Sequence, residues 1–335
     1  MSARKNLSYP IYIEAKALNR LGEMLADSYA EKEVFVVSDR VVYGLYQEAL
    51  LNALAGYSVE TVVIEPGEGS KSLSTYESVA KRLIEQGIRR DHLIIAFGGG
   101  VVGDLAGFVA ATLYRGIRWV QVPTTLLAQV DSSIGAKVGI NLPLGKNLIG
   151  AFHEPELVLI DPELLDTLEY REYNNGIAEM IKAALIGDPR LYARLKDERR
   201  VGIEEIDLAL AVKKRIVLED PYEEGLRMVL NFGHTFGHAI ERAHGYRTYK
   251  HGEAISYGML MALEVGIERG ITPRALYDEV KELLLAHGLV ALPLLKRKDY
   301  VEMVAYDKKR RADGLRFILL KDIGNAVIER IDLCE

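Results

Sequence analysis

The sequence predicts an α/β domain with a mainly parallel sheet, followed by a mostly α-helical domain. The chain has 335 residues, which is enough for two domains of about 100–150 residues each. Short β-branched or aromatic runs alternate with amphipathic stretches in the first half. Helical periodicity dominates from Tyr173 onward. We therefore divide the chain into residues 1–168 and residues 169–335.

Six runs of the first half are predicted strands, because each is bounded by Gly, Pro or Asp. They are Pro10–Glu14, Val34–Ser38, Val59–Ile64, Leu93–Phe97, Trp119–Val122 and Leu157–Ile160. The amphipathic stretches between them, which we interpret as helices, are Ala17–Tyr29, Val42–Ala55 and Leu73–Gln86. Ligands of such sheets bind at the carboxyl ends of the strands, so we expect part of the functional site there.

The second half contains five predicted helices and a small hairpin. The helices are Asn174–Gly187, Ile203–Glu219, Gly225–Ala243, Glu253–Arg269 and Arg274–His287. The hairpin joins Leu315–Leu320 to Ala326–Ile331, with Gly324 in its turn. The chain has no internal repeat and no low-complexity linker, so we expect closely packed domains with a ligand site between them.

Composition excludes several classes of protein. Hydrophobic residues make up 49% of the chain, which rules out a disordered or fibrous protein. The net charge of −6 disfavours nucleic-acid binding, although a local basic pocket for an anionic small molecule stays open. The one cysteine, Cys334, allows neither an intrachain disulfide nor a cysteine metal cluster, and it fits a reducing compartment.

The sequence favours neither a membrane span nor a secretion signal. Leu93–Leu113 is apolar, but a glycine run and Asp104 interrupt it, so it predicts a strand, a loop and a helix. The opening residues, MSARKNLSYP, contain no apolar signal segment. We expect a cytoplasmic protein that contacts no membrane.

A glycine-rich run points to a phosphate-bearing ligand. The run GGGVVGD, residues 98–104, follows a predicted strand and begins a helix. Glycine lets a backbone approach a ligand closely, and a helix N-terminus favours an anion. The spacing matches the dinucleotide fingerprint, but the acid expected about 20 residues later is missing. Asp39, after an earlier strand, is a candidate for that acid, and a tight turn that serves only packing is the alternative interpretation.

Clustered histidines suggest a divalent metal site. His234 and His238 are spaced i and i+4 on one helix face, and His251 follows at the start of the next predicted helix. Imidazole nitrogens with a carboxylate form an open divalent-metal site. The spacing alone selects His234 and His238 as the ligand pair and leaves several carboxylates open, of which Glu179 is one. The alternative is that these histidines only pack and form hydrogen bonds.

Three lysines stand in apolar or small-residue surroundings. Lys137 and Lys146 lie in glycine-containing segments, and Lys182 shares a helix face with Glu179. A surface lysine is ordinarily solvated. These three are candidates to pair with a phosphate or a carboxylate.

The motifs occur in the order of a known family. They are Gly98–Thr112, Arg115-Gly116, Val122–Gly135, Lys146-Asn147, Ala178–Lys182, Leu230–Glu241, His251–Ala254 and Asp307–Lys309. In this combination the chain resembles the 3-dehydroquinate synthase family, among the sugar-phosphate cyclases, over essentially its whole length. The resemblance implies an N-terminal Rossmann-like NAD-binding domain, a mostly helical metal- and substrate-binding domain, one zinc or cobalt ion, and a homodimer.

The resemblance also implies an activity. This is a phosphate-eliminating lyase of the shikimate pathway, which converts 3-deoxy-D-arabino-heptulosonate 7-phosphate into 3-dehydroquinate and phosphate. The reaction passes through transient oxidation by NAD, phosphate elimination, reduction, ring opening and an internal aldol closure.

The resemblance assigns roles to individual residues. The implied metal ligands are Glu179, His234 and His251, so that His238 faces the substrate instead. The implied NAD contacts are Asp39, Glu68, Lys71, Gly99, Gly100, Val101, Asp104, Thr124, Thr125, Asp131, Lys137, Lys146, Thr167, Leu168 and Glu172. The implied catalytic residues are Lys137, Asn147, Lys182, Arg227, Asn231 and His238. Further substrate contacts are Arg115, Asp131, Lys213 and Lys308, with Lys309 as the alternative to the last.

Three other functions are alternatives to this one. A related cyclase would act on a sugar phosphate that lacks a carboxylate. The combination of Arg227, Asn231, His238 and Lys308 favours a substrate with a carboxylate instead. A metal-dependent polyol dehydrogenase would accumulate NADH, whereas a synthase shows no net redox change. A non-catalytic NAD- or metal-binding regulator would not need the full set of candidate acids, bases and ligands.

Overall fold

Parallel strands form the sheet of the N-terminal half in the computed structural model. The strands of this half are β1 (Ile11–Ile13), β2 (Glu33–Asp39), β3 (Ser58–Ile64), β4 (Leu93–Gly98), β5 (Arg118–Pro123), β6 (Lys137–Leu142), β7 (Gly145–Phe152) and β8 (Leu157–Ile160). Six of them form one sheet in the order β1-β8-β5-β4-β2-β3, and every pairing in it is parallel. This confirms the predicted parallel sheet. Strands β6 and β7 form a separate antiparallel hairpin.

The structure describes residues 7–27, 29–197, 200–308 and 315–331, and these form two compact units. The first unit ends at Leu168 and the second begins at Glu169. Cys334 and Lys309 lie outside the described residues.

The sheet of the first unit has apolar side chains on both faces. Along β4, Ile94 and Ala96 join one buried cluster, while Ile95 and Phe97 join the other. The helices of this unit are α1 (Leu21–Ala26), α2 (Arg40–Ala53), α3 (Leu73–Glu85) and α4 (Gly100–Thr112). A strand that is buried on both faces shows a continuous apolar run in sequence, which is why β4 is recognisable from the sequence alone.

The second unit is mostly helical. Its helices are α5 (Tyr170–Gly187), α6 (Pro189–Asp197), α7 (Ile203–Glu219), α8 (His234–Ala243), α9 (His251–Glu268), α10 (Arg274–Ala286) and α11 (Val301–Lys308). Strands β9 (Leu315–Asp322) and β10 (Asn325–Ile331) form an antiparallel hairpin with Gly324 in its turn, at φ +79°. The predicted hairpin is therefore confirmed.

The predicted helix Gly225–Ala243 is wrong. A 3-10 turn covers Leu226–Asn231, and α8 begins only at His234. Gly233 separates the two at φ +79°, a left-handed conformation that strongly favours glycine. The apolar periodicity continues through this break, so the sequence pattern did not reveal it.

Other differences from the predictions involve short or polar segments. The predicted helix Ala17–Tyr29 is a 3-10 turn followed by the six residues of α1. Strands β6 and β7 were not predicted, because they carry glycines and polar residues and alternate weakly. Helices α6 and α11 have nine and eight residues, which is too short for a clear helical period. Among the described residues, no helix is both long and apolar enough to cross a bilayer.

Glycines bring α8 and α9 into close contact. A Cβ atom added to Gly258 on α9 would lie 2.0 Å from the carbonyl oxygen of Gly233 and 2.7 Å from the nitrogen of Gly237. A Cβ atom added to Gly237 would in turn lie 3.0 Å from the Cα of Ile255. No side chain larger than hydrogen fits at Gly258 without separating the two helices.

We expect Gly258→Ala to lower the free energy of unfolding by about 1–3 kcal/mol, because the added methyl group meets backbone rather than a flexible side chain. The matched control is Gly44→Ala in α2, where an added Cβ meets nothing within 4 Å. The control should raise stability by about 0.5–1 kcal/mol, since alanine is the better helix former. Urea unfolding followed by circular dichroism measures both. An unchanged unfolding curve for Gly258→Ala would contradict the close helix contact.

Candidate functional site

Three helices of the second unit bring potential metal ligands together. Glu179 lies in the middle of α5, His234 is the first residue of α8, and His251 is the first residue of α9. Their ligand atoms all lie within 4.8 Å of one another. Residues spread over more than 70 positions of the sequence, from Glu179 to His251, thus form one compact group.

The His-Gly-Glu run at the start of α9 has a structural reason at each position. His251 supplies the potential ligand. A Cβ atom on Gly252 would lie 2.5 Å from the carbonyl oxygen of Asn175, so glycine allows α9 to approach α5. Glu253 accepts a hydrogen bond from the backbone N–H of Lys250 at 2.9 Å, which caps the helix at its first turn. The His-Gly-Glu run therefore sets the distance between His251 and Glu179 on α5.

Both histidines direct the same ring nitrogen at the glutamate. The Nε2 atom of His251 lies 3.3 Å from Glu179 Oε1, and the Nε2 atom of His234 lies 3.7 Å from it. Within the described chain, Glu179 Oε1 accepts no hydrogen bond. Its other carboxylate oxygen forms an ion pair with the Lys182 ammonium. A buried carboxylate oxygen that faces two imidazole nitrogens without a hydrogen bond fits a shared cation.

The second nitrogen of His234 determines its tautomer. Nδ1 lies 3.2 Å from the backbone carbonyl oxygen of Phe232. A carbonyl oxygen can only accept, so Nδ1 carries the proton and Nε2 presents its lone pair. His251 has a carboxylate in the corresponding position, since its Nδ1 lies 3.5 Å from Glu241 Oε1.

The electrostatic environment favours the ligand forms of Glu179 and His234. Burial raises the pKa of Glu179, but Lys182 and the two histidines outweigh burial and hold that pKa well below its usual value. Burial, reinforced by Lys182, lowers the pKa of His234 to about 3. Burial also lowers the pKa of His251, but the carboxylates of Glu179 and Glu241 outweigh it and raise the pKa to about 9. At neutral pH the site thus presents an ionised Glu179 carboxylate and a neutral His234 imidazole, both of which bind a divalent cation. His251 is protonated at that pH, so a cation that binds there must displace the proton of its Nε2 atom.

His238 is placed differently from the other two histidines. It is exposed on α8, and its ring lies edge-on to that of His234, with the ring centroids 5.3 Å apart. The i, i+4 spacing suggested a ligand pair of His234 and His238, but the structure does not group these two. His238 instead belongs to a second, overlapping group with Glu241 and His251. Because they share one helix face, the rings of His234 and His238 lie close together, but their nitrogens are not directed at a common position.

The described part of the second unit buries three cationic side chains. Lys182, Lys213 and Arg227, all predicted as substrate contacts, are each less than one-tenth exposed. Such residues are rarely buried unless they are paired, and here Lys182 pairs with Glu179 and Arg227 donates to the carbonyl oxygen of Pro221. Asn231, predicted beside them, donates from its amide to Glu223 Oε1 at 2.7 Å.

A capped loop holds Arg227 in place. The carboxylate of Asp220 accepts hydrogen bonds from the backbone N–H groups of Glu224, Gly225 and Arg227, at 2.9, 2.7 and 2.9 Å. Burial raises the pKa of Asp220, but these N–H groups outweigh burial and lower it. The Arg227 guanidinium also donates to the carbonyl oxygen of Pro221. Sequence reasoning did not identify Asp220, although an acid before a Pro-containing turn is a typical signal of such a loop.

The glycine run of the first unit joins β4 directly to α4. Gly99 is the N-cap of α4 and supplies no side chain to the N–H groups of the first turn, which includes Val101. Added Cβ atoms on Gly98 and Gly103 would lie 2.6 Å from Val102 and 2.3 Å from Gln121, so packing alone requires these two glycines. The packing interpretation is therefore correct for part of the run.

The rest of the glycine run borders polar atoms with unused hydrogen-bonding capacity. Gly99 abuts the side chain of Thr125, and Gly100 abuts Ser132. The Thr124 backbone N–H donates to the carbonyl oxygen of Gly98 at 3.1 Å. The hydroxyls of Thr124 and Ser132 are buried and have no hydrogen-bond partner among the described residues. Buried hydroxyls beside an uncapped helix N-terminus fit a ligand that carries phosphate groups.

The other predicted cofactor contacts are spread over both units. In the first unit, Lys71 and Asp104 form an ion pair, and Glu68 accepts a hydrogen bond from Asn141 at 2.7 Å. Asp39 caps α2, because its side chain accepts from the N–H groups of Val41 and Val42. The Thr167 hydroxyl lies 2.6 Å from the Tyr46 hydroxyl. Leu168 is the last residue of the first unit. Glu172 lies on α5 of the second unit and pairs with Lys250 at 2.5 Å.

The remaining predicted contacts lie in turns and in the β6–β7 hairpin. Lys137 begins β6, and Lys146 and Asn147 lie in β7. Asn147 and Arg115 adopt φ values of +54° and +66°. Asp131 lies in a short π-helical turn, Ala128–Ser132. Lys308 ends α11, and its side chain lies outside the described part of the structure.

Known proteins resemble the chain along its whole length. The family descriptions "3-dehydroquinate synthase N-terminal" and "3-dehydroquinate synthase C-terminal" match residues 61–175 and 176–310. The chain is 42% identical to a 3-dehydroquinate synthase of Clostridium kluyveri, over 99% of this chain and 95% of that protein.

Two solved structures share the fold and hold ligands. One is 2-epi-5-epi-valiolone synthase from Streptomyces hygroscopicus subsp. jinggangensis with NAD⁺ and Zn²⁺ bound, at 30% identity and a TM-score of 0.85, covering 99% of this chain and 95% of that one. The other is 2-deoxy-scyllo-inosose synthase complexed with carbaglucose-6-phosphate, NAD⁺ and Co²⁺, at 26% identity and a TM-score of 0.81, covering 95% and 91%. These similarities confirm the predicted fold class.

We expect Glu179→Gln and His251→Ala each to weaken Zn²⁺ binding by about 100-fold or more, because each removes one of the three predicted protein ligands. Competition with a chromophoric chelator measures the affinity, and metal analysis after gel filtration measures retained zinc. The control is His244→Ala, since His244 contacts Tyr300 and belongs to neither ligand group. Full zinc content in Glu179→Gln or His251→Ala would show that these residues are not the ligands.

Proposed function

The chain belongs to the 3-dehydroquinate synthase family, and on that premise we propose that it converts 3-deoxy-D-arabino-heptulosonate 7-phosphate into 3-dehydroquinate and phosphate. The observation that carries this proposal is the 42% identity to a 3-dehydroquinate synthase over 99% of the chain. In this role the protein is a phosphate-eliminating lyase of the shikimate pathway.

The ligand groups of the chain fit the cofactors of its structural neighbours. Glu179, His234 and His251 would hold the divalent ion, zinc or cobalt. The backbone of residues 99–101, together with Thr124 and Thr125, would hold NAD. The chemistry that these groups would supply when bound is polarisation of a substrate hydroxyl by the ion and reversible hydride acceptance by NAD.

Arg227 and Lys213 are proposed to bind the substrate carboxylate. Both are buried cations, and Asp220 organises the loop that carries Arg227 before any substrate arrives. A guanidinium in a fixed orientation can bind a carboxylate through two parallel hydrogen bonds. Holding one end of the substrate in this way selects the conformer in which the reacting carbons are aligned. This requirement for a carboxylate favours the synthase over cyclases whose sugar phosphates lack one.

The phosphate that leaves is proposed to be bound by Lys137, Asn147, Asn231 and His238. The remaining contacts with substrate and cofactor are assigned to Arg115, Asp131, Lys146 and Lys308. Lys182 is proposed to bind substrate oxygens beside the metal group, since its ammonium already pairs with Glu179. His238 is exposed and lies close to the proposed ligand histidines. Because it is not itself one of the proposed metal ligands, its ring is available to contact a substrate. A homodimer and a cytoplasmic location remain predictions.

The decisive assay is phosphate release from 3-deoxy-D-arabino-heptulosonate 7-phosphate with substoichiometric NAD, followed together with absorbance at 340 nm. We expect phosphate in excess of the NAD supplied, no accumulation of NADH, and loss of activity with a chelator that added Zn²⁺ or Co²⁺ reverses. Release from glucose 6-phosphate or sedoheptulose 7-phosphate instead would indicate a different cyclase. Steady NADH formation with simple polyols would indicate a dehydrogenase.

We expect Asp220→Ala to raise KM for the substrate by about 10-fold, because the Arg227 loop loses the acceptor for three N–H groups. Its Zn²⁺ affinity should stay at the wild-type value, since the loop supplies no metal ligand. Steady-state kinetics and zinc competition measure the two effects. The control is Asp278→Ala, whose partners Arg274 and Lys281 lie on its own helix α10. An unchanged KM in Asp220→Ala would contradict the positioning of Arg227 by this loop.

A further inference from the structure

Glu241 is a buried carboxylate to which the proposed reaction assigns no role. It lies on α8, seven residues after His234, and only 2% of it is exposed. Two helical turns separate the two residues, so they lie on nearly the same face of the helix. A carboxylate costs much free energy to bury unless it faces a donor or a cation. The groups that face the Glu241 carboxylate therefore indicate its role.

The ring of His251 lies between two carboxylates. Its Nε2 atom is 3.3 Å from Glu179 Oε1, and its Nδ1 atom is 3.5 Å from Glu241 Oε1. The ring thus has one nitrogen directed at the ligand group and the other at Glu241. An imidazole that binds a metal through one nitrogen ordinarily donates the N–H of the other to an acceptor, which fixes the tautomer and the ring orientation.

The two ligand histidines use different acceptors for this purpose. His234 directs Nδ1 at a neutral backbone carbonyl, that of Phe232, at 3.2 Å. His251 directs Nδ1 at an acid side chain. A charged acceptor holds an N–H more strongly than a neutral one and makes the opposite nitrogen a better electron donor.

The position of Glu241 is set by the contact between α8 and α9. Glu241 is on α8 and His251 is on α9, and Gly237 and Gly258 allow the two helices to approach closely. Neighbouring residues Ala239 and Ile240 are buried in the core. The carboxylate is therefore carried by a packed helix rather than by a loop, as expected for a group that must hold another side chain in orientation.

We propose that Glu241 is the positioning residue of the metal site: it accepts the Nδ1–H of His251 and so directs Nε2 of that ring at the ion. This inference rests on the proposed ligand set of Glu179, His234 and His251. The competing role is that of a direct ligand, because Glu241 also forms a group with His238 and His251. The geometry favours positioning. In that second group Nδ1 of His251 would have to bind the ion itself instead of donating its N–H to Glu241, and His238 is exposed.

The test compares Zn²⁺ affinity in wild type, Glu241→Gln and a matched control, Glu205→Gln, by competition with a chromophoric chelator. Glu205 is as buried as Glu241 but lies on α7, where it accepts from the backbone N–H of Gly202 and pairs with Arg194. We expect Glu241→Gln to bind Zn²⁺ about 10-fold to 100-fold more weakly than wild type, and Glu205→Gln to bind as wild type does. Thermal unfolding of the metal-free variants reports any purely structural effect.

A double-variant cycle separates positioning from general damage to the site. In the His251→Ala background, Glu241→Gln should cause no further loss of Zn²⁺ affinity, because there is no ring left to orient. In the His234→Ala background, the loss caused by Glu241→Gln should persist. An equal loss in both backgrounds, or none in the single variant, would overturn the proposal.

The remaining outcomes distinguish this inference from the function on which it rests. Loss of all Zn²⁺ binding in Glu241→Gln, with binding retained in Glu179→Gln, would make Glu241 a ligand and overturn its positioning role. Absence of Zn²⁺ binding by the wild-type chain would overturn the metal site itself, and the positioning role with it. Normal binding in wild type and in Glu241→Gln alike would overturn only the role of Glu241.

Discussion

The close contact between α8 and α9 is the constraint on which the chemistry of the second unit depends. Gly233, Gly237 and Gly258 remove the side chains that would separate the two helices. Because each helix begins at a histidine, their approach also sets the distance between His234 and His251, whose ring centroids are 5.2 Å apart. The same contact sets the distance between Glu241 and the ring of His251. Backbone packing, rather than flexible side chains, thus defines the ligand group.

Buried charge is the second organising feature of this unit. Glu179, Lys182, Lys213 and Arg227 are all buried, and their burial costs free energy that packing elsewhere must offset. The loop capped by Asp220 and the pairing of Lys182 with Glu179 hold these groups ready before a ligand binds. Such preorganisation suits a polar, anionic substrate, because the protein then has little to reorganise during the reaction.

The candidate ligand site of the first unit is built from glycines and hydroxyls rather than from buried charges. Its glycine run has two functions at once, since Gly98 and Gly103 allow α4 to pack, while Gly99 and Gly100 border the polar atoms of Thr125 and Ser132. The buried hydroxyls of Thr124 and Ser132 add hydrogen-bonding groups that the described residues leave unused. A phosphate group held by backbone N–H groups and hydroxyls would require no charged side chain, and residues 98–103 carry none.

The sequence by itself determined the parallel sheet, the helical second half and the residue types of the site. Strand β4 could be predicted because burial on both faces produces a continuous apolar run, and the terminal hairpin because Gly324 marks its turn. The set Glu179, His234 and His251 came from family resemblance, since spacing alone selected His234 and His238. Only the tertiary structure decided which nitrogen of each ring faces Glu179, that a left-handed Gly233 interrupts the predicted helix Gly225–Ala243, and that Glu241 lies against His251. Periodicity reports which side of an element is buried, but it does not report what lies opposite, because that depends on contacts between residues far apart in the chain.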